Sequence, residues 1–193
     1  MAKQNIWRRN KRDLGYFRSL LTATVGGAAG VAAMAAYWKA VTAITGEDPR
    51  QNQTNYAGEQ PLDSISIVGK QHKRGESSTA AIGRIAYRTL MGRPPQSQQT
   101  RTFLSYLVHW IISLGMSGIS GILQRRRNKP DAKNGLVLGS SLFLLGDELA
   151  MPLLGLADGP TAYPPKLHVH SFGAHVAYGL AASFATKILR KFI

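Results

Sequence analysis

The sequence predicts an all-α membrane protein: a bundle of four transmembrane helices with an outer polar segment. Three observations predict this class. Four long apolar segments follow one another, basic residues gather at their ends, and small residues recur at four-residue spacing inside them. A membrane helix needs about 20 mostly apolar residues because the hydrocarbon core is about 30 Å thick. We therefore expect one membrane domain, residues 1–193, with spans near 18–38, 102–123, 134–157 and 167–187.

The charges of the apolar segments favour membrane helices over core helices of a soluble protein. Leu20–Trp38 has no charged residue, and Thr102–Leu123 has only His109 as a titratable group. Core helices of soluble proteins usually keep a polar face at the helical period, and these two segments lack a charged one. Asn134–Ala157 differs in having adjacent carboxyl groups near its middle, and Leu167–Thr186 holds three histidines.

The composition allows other classes of protein. The 193 residues include 24 Lys and Arg against 10 Asp and Glu, a formal charge of +14, and no cysteine. Disulfides and thiolate metal sites are therefore excluded. The charge suits nucleic acid, anionic lipid or an acidic partner. A soluble nucleic-acid-binding helical protein is a distant alternative, because its charge would form one continuous patch, whereas here the basic residues cluster at segment ends. We expect no nucleic-acid partner.

The basic clusters predict the orientation. Short loops rich in Lys and Arg stay in the cytoplasm. The N-terminal tail, the connection "QRRRNKPDAK" and the C-terminal end are basic, whereas Asp158–Lys166 has only Lys166 as a basic residue. Both termini should therefore be cytoplasmic in a bacterial inner membrane, with Lys39–Arg101 outside. The expected partners are the lipid bilayer, anionic lipid at the cytoplasmic basic loops, and a membrane-protein partner or a second copy of the chain.

The first segment also has features of an export signal. A basic head, an apolar run and "AMA" at Ala33–Ala35 are typical of a secretory signal, and Arg8-Arg9 of a twin-arginine signal. The run is long for a signal and rich in glycine. We therefore interpret it as a retained span.

Small residues at four-residue spacing let helix backbones approach closely in lipid. Such rows occur in all four segments and predict a compact bundle. They comprise Gly26 and Gly30; Ser113, Ser117 and Gly121; Gly135 and Gly139; and Gly173, Ala177, Ala181 and Ala185.

The outer segment contains one further predicted helix, "SSTAAIGRIAYRTLMG", capped by Ser77 or Ser78. Its apolar residues lie roughly on one side. It fits a helix on the membrane surface and equally an ordinary surface helix on the bundle.

Four titratable residues form a predicted intramembrane polar layer. Counted from the cytoplasmic helix ends, His109, Asp147 and His175 lie at one depth, about 20 Å in at about 1.5 Å per residue. Glu148 shares that depth, but adjacent helix residues differ by about 100°. Asp147 flanks the row of Gly135, Gly139, Gly146 and Ala150, whereas Glu148 falls nearly opposite unless a kink at Pro152 turns it inward.

Three interpretations of this layer compete. Histidine and carboxyl groups can join helices by hydrogen bonds. They can conduct protons or help a substrate cross. Alternatively His168, His170 and His175 with an acid bind a metal, although the first two lie about 10 Å along the axis from the third. Axial haem ligation by His109 and His175 has no further support. We expect no metal and no cofactor. We also expect no enzymatic activity, because Ser113, Ser117 and Ser120 near His109 lack a nucleophile-elbow sequence.

The carboxyl half, roughly Thr102–Arg190, carries a family resemblance. "YLVHWIISLGMSGISGIL", a short basic turn, "NGLVLGSSLFLLGDELAMPLLGL" and "SFGAHVAYGL" resemble the YagU-type family of uncharacterised bacterial inner-membrane proteins. The matching positions are His109, Pro152, His175 and Gly179, and Ala174 separates Gly173 from His175 where the family has a Gly-His element. The resemblance implies an inner-membrane protein with several helices and no settled activity.

Overall fold

A computed structural model describes residues 2–50, 64–124 and 131–192, with side chains from Gly15 onward. These residues are helical or irregular, without a strand, so the predicted all-α class is confirmed. The helices are α1 (Ala2–Thr45), α2 (Ser78–Met91), α3 (Gln98–Leu123), α4 (Ala132–Ser141), a π-helix (Leu142–Ala150), α5 (Met151–Leu153), a 3-10 turn (Pro160–Ala162) and α6 (Pro165–Leu189). The basic connection 125–130 and the loop predicted around 51–63 lie outside the described residues.

Three of these helices are long and apolar enough to cross a membrane: Gly15–Thr45, Gln98–Leu123 and Ala132–Leu153, the last running without a break through α4, the π-helix and α5. The length and composition of these helices indicate a membrane protein. The first helix continues to Thr45, beyond the predicted end near residue 38. The third ends at Leu153, before the predicted end near 157, because Gly155 adopts a left-handed conformation (φ +67°) that terminates it.

The fourth predicted span exists as a helix, α6, but is not among the three apolar ones. Its buried face is tightly enclosed, with Ala174, Tyr178 and Ala182 at most 1% exposed. Because α1 and α4 both pack against α6, much of its surface faces protein and need not be apolar. A bundle of four membrane-spanning helices therefore remains a prediction.

The long helices alternate in direction. Ser117 of α3 donates a hydrogen bond to the Ala23 carbonyl, and the Tyr37 hydroxyl lies 3.4 Å from His170 Nδ1. Lys70 and Asp158 form an ion pair at one end of the bundle, and the Arg190 guanidinium approaches the Gly121 carbonyl at the other. The segment 64–97 and the connection after Leu153 therefore share one end. The beginning of the second connection and the C-terminal end share the opposite one, as the predicted orientation requires.

The outer helix α2 begins with Ser77 as its N-cap, whose side chain accepts a hydrogen bond from the Ala80 N–H. Gly92 ends it in a left-handed conformation (φ +69°). Ala81 and Gly83 are buried, and Gly83 lies directly on Leu104 of α3. This helix thus packs on the bundle, while Leu90 and Met91 near its end stay exposed.

All five glycines predicted to pack helices lie against a neighbouring helix. The nearest neighbours are Thr186 for Gly26, Tyr178 for Gly30, the backbone of Gly179 for Gly135, the backbone of His175 for Gly139, and Tyr37 for Gly173. Two predicted rows are wrong in detail. Gly146 has open space around it, so the row in α4 ends at Gly139. In α6 a row of buried residues, Ala174, Tyr178, Ala182 and Thr186, lies one residue beyond the predicted row.

Candidate functional site

The carboxyl groups near the middle of the third membrane-length helix lie in a π-helix, Leu142–Ala150. A π-helix is rare and usually a single turn, and it occurs frequently at functional sites. Its bonds join residues five apart, as between the Met151 N–H and the Gly146 carbonyl. The distortion ends just before Pro152, the residue expected to disturb this helix. More residues per turn reduce the angle between Asp147 and Glu148, so both can reach α6.

Glu148 pairs with His168 at the beginning of α6. Glu148 Oε1 lies 2.6 Å from His168 Nδ1, and the side chains are 23% and 24% exposed. Tyr163 stands edge-on to the His168 ring, with ring centroids 6.2 Å apart. Glu148 was predicted to share one layer with His175, and its contact in the structure is with His168. His168 was not predicted to belong to this layer.

Asp147 faces His175, as the depth count predicted. Asp147 Oδ2 lies 3.5 Å from His175 Nε2, too far for a strong hydrogen bond but close enough for an ion pair. His175 Nδ1 lies 2.9 Å from the Ser171 carbonyl. Since a carbonyl only accepts, Nδ1 donates a hydrogen bond to it, and Nε2 is the ring nitrogen that faces Asp147. The Asp147 side chain is 48% exposed against 17% for His175, so the acid is on the rim of this pair.

His109 of α3 is half-buried and lies within electrostatic range of His175. In the described part of the chain it forms no ion pair or side-chain hydrogen bond. Asp147 thus faces His175, His109 lies within electrostatic range of that histidine, and Glu148 joins His168 instead.

The histidines of α6 have separate partners. His168 meets Glu148, His175 meets Asp147, and His170 lies beside the Tyr37 hydroxyl. Within the described ranges no group of three His, Asp or Glu side chains is placed to hold a metal ion. The arrangement predicted for metal binding, three histidines with one acid, is therefore not assembled there.

A second polar cluster at the outer end was not predicted. The segment beginning near Ser64 covers the turn after α5, where the Gly155 carbonyl accepts from the backbone N–H groups of Gln71 and His72. His72 Nδ1 lies 2.8 Å from the same carbonyl, and its Nε2 is 3.1 Å from Asp158 Oδ1, although without hydrogen-bond geometry. Lys70 pairs with Asp158 at 2.8 Å. The residues that meet in this cluster are more than 80 positions apart in the sequence, so no local sequence pattern predicts their contact.

Glu76 and Arg84 join this segment to α2. The Arg84 guanidinium donates two hydrogen bonds to the Glu76 carboxylate, at 2.7 and 2.8 Å. Burial alone raises the pKa of Glu76, but hydrogen bonds from Arg84 and from the Lys73 backbone outweigh it and lower that pKa below its ordinary value. Glu76 is therefore held as a carboxylate.

Comparisons with protein-family models, curated proteins and solved structures found no match. The resemblance to the YagU-type family therefore stays a prediction.

The serines near His109 all take part in contacts between or within helices. Ser117 donates to the Ala23 carbonyl, the Ser113 carbonyl accepts from the Tyr178 hydroxyl, and Ser120 accepts from the Gln124 side chain. The chemistry that the described site offers is proton sharing between carboxyl and imidazole groups, at Glu148 with His168 and at Asp147 with His175.

Proposed function

We propose that this protein is a multi-pass bacterial inner-membrane protein with a structural or accessory role and no enzymatic activity of its own. In this proposal α6 is the fourth span, both termini are cytoplasmic, and the surrounding bilayer is the principal partner. One observation carries the structural role: the contact of 2.6 Å between Glu148 and His168. It joins the distorted third helix to α6 beside the closest backbone contacts of the bundle.

The structural role follows from how polar groups behave in lipid. Side chains that hydrogen-bond across helices contribute to association in membranes, and close approach at small residues does the same. Gly135 and Gly139 hold the inner half of the third helix against α6. Beyond Gly139 the helix changes to the π form and the glycine contact ends. The carboxylate–histidine pairs begin there and continue the attachment to the outer end.

A double-mutant cycle tests this role. We expect Glu148→Gln or His168→Gln to lower the free energy of unfolding in detergent by about 1–3 kcal/mol each, because a hydrogen bond to a charged group is lost and its partner is left without one. The double mutant should lose less than the sum of the two, since the residues interact. Glu47→Gln removes an acid from the exposed end of α1 and is the matched control. Additive effects at Glu148 and His168 would contradict the proposal.

A second candidate, proton handling or transport, is favoured by one observation. Asp147 is about half exposed, and the Nε2 atom of His175 faces its carboxyl group at 3.5 Å. Intramembrane carboxylates often mark proton or substrate paths. In this alternative Asp147 exchanges protons with His175, and His109 lies next along the path. Proton flux separates the two functions.

A further inference from the structure

The inner end of the bundle has an open groove between α3 and α4. These helices pack on α1 and α6 respectively but hardly touch each other. A cavity of about 20 Å³, large enough for about one water molecule, lies where the groove reaches the helix ends. Polar and apolar side chains from four helices line it, among them Ala23, Ser120, Gln124, Asn134, Leu138, Thr186 and Arg190.

Arg190 lines the cavity at the end of the groove, and Arg18 lies within electrostatic range of it. Partial burial, and then the positive charge of the neighbouring Arg18, lower the pKa of Arg190 from its ordinary value. In the part of the chain that the structure describes, neither guanidinium forms an ion pair with a carboxylate. The contact of Arg190 is a marginal hydrogen bond, 3.5 Å to the Gly121 carbonyl. An anion between the two guanidinium groups would compensate for the partial burial of Arg190 and for the repulsion between the two positive charges.

The two helices that form the groove also expose apolar side chains. Ile119 and Leu123 on α3 and Leu136 on α4 are exposed at the depth where the acyl chains of the inner leaflet would lie. A headgroup site open to hydrocarbon on its side suits an amphiphile better than a free ion.

We propose that this groove binds one anionic glycerophospholipid, with its phosphate between Arg190 and Arg18 and an acyl chain along the gap between α3 and α4. The site rests on the membrane placement of the bundle and not on the role of the carboxylate–histidine pairs. The basic loops predict a general attraction of anionic lipid. This proposal assigns one lipid molecule to a single groove in the fold.

Thermal unfolding of the purified full-length protein in detergent, with and without added lipid, tests the site. Phosphatidylglycerol should raise the unfolding temperature. Phosphatidylcholine and glycerol 3-phosphate at equal concentration should not. Arg190→Gln should weaken the response to phosphatidylglycerol roughly fivefold, the effect of about one basic residue at an anionic membrane surface. Lys133→Gln, which removes an exposed charge at the same end, should respond like the parent.

Three results would overturn the proposal. Equal stabilisation by phosphatidylcholine would mean that the groove does not select the charge. Equal stabilisation by glycerol 3-phosphate would mean a site for phosphate alone. An unchanged response of Arg190→Gln would remove the arginine from the site. If Arg190→Gln does not fold, Arg18→Gln, a substitution at an exposed position, takes its place in the same test. Glu148→Gln should keep the lipid response, so failure of this site is distinguishable from failure of the structural role.

Discussion

At Gly139 the backbone of the third membrane-length helix lies directly against that of α6, and Gly139→Ala measures what that contact contributes. A Cβ atom at Gly139 would lie 2.8 Å from the His175 carbonyl carbon and 3.0 Å from Val176 Cα, whereas ordinary contact begins at 3.4 Å. Backbone atoms cannot rotate away as a side chain can. The two helices would have to separate by about 0.6 Å or more at this point.

The expected magnitude follows from two opposing terms. Alanine gains about 0.5–1 kcal/mol over glycine within a helix. Overpacking costs typically about 1–3 kcal/mol. Gly115→Ala in α3 is the matched control, because nothing lies within 4 Å of a Cβ atom there. The helix-propensity gain is common to both variants, so their difference reports the contact: about 1–3 kcal/mol, or roughly 2–10 °C in Tm for a chain of this size.

Thermal unfolding in detergent is the assay. Gly139→Leu should be more disruptive than Gly139→Ala, and far more so than Leu138→Ala, which removes a half-buried side chain and leaves the backbone contact intact. Equal unfolding temperatures for Gly139→Ala and Gly115→Ala would refute the reasoning, because a methyl group would then be tolerated where the structure leaves no room for one.

Two further predictions address topology and the outer cluster. Because the chain has no cysteine of its own, an impermeant thiol reagent added to intact cells should label Arg88→Cys and leave Lys133→Cys unlabelled; the reverse pattern would invert the proposed orientation. The pKa of Glu76 lies below its ordinary 4.5. The Glu76–Arg84 pair therefore stabilises the fold above about pH 4.5. This stabilisation is lost as the pH falls through the lowered pKa of Glu76. Between pH 6 and pH 3, Glu76→Gln should therefore lose less Tm than the parent or Glu47→Gln, and equal losses would remove the pair from the account.

Much of the fold could be predicted from the sequence because its signals are local. Uncharged runs of about 20 residues predicted the membrane-length helices, and Ser77 before an apolar run predicted the start of α2. The glycine contacts of α4 followed from spacing alone. The buried row in α6 lies one residue beyond the predicted row. This helix contacts both α1 and α4, so its buried residues do not all lie on one face.

The site could be predicted only in part for a similar reason. Counting depth along straight helices predicted that Asp147 lies near His175, and the structure places the two side chains 3.5 Å apart. The count gave no sign that Glu148 pairs with His168, because a π-helix changes the angle per residue, and Pro152 indicated only that some distortion would occur. The outer cluster of Lys70, His72 and Asp158 depends on a contact between distant segments, which no local pattern encodes.

The structural role of the carboxylate–histidine pairs is the central claim, and proton flux in vesicles tests it most directly. Asp147→Asn keeps the shape and a hydrogen bond but removes the titratable acid. Purified parent, Asp147→Asn and Glu47→Gln proteins would be reconstituted and challenged with a pH gradient, after each is shown to be folded. The account predicts that the three preparations give equal flux, no greater than that of empty vesicles. Flux from the parent and Glu47→Gln that is absent in folded Asp147→Asn would contradict it and establish proton handling instead.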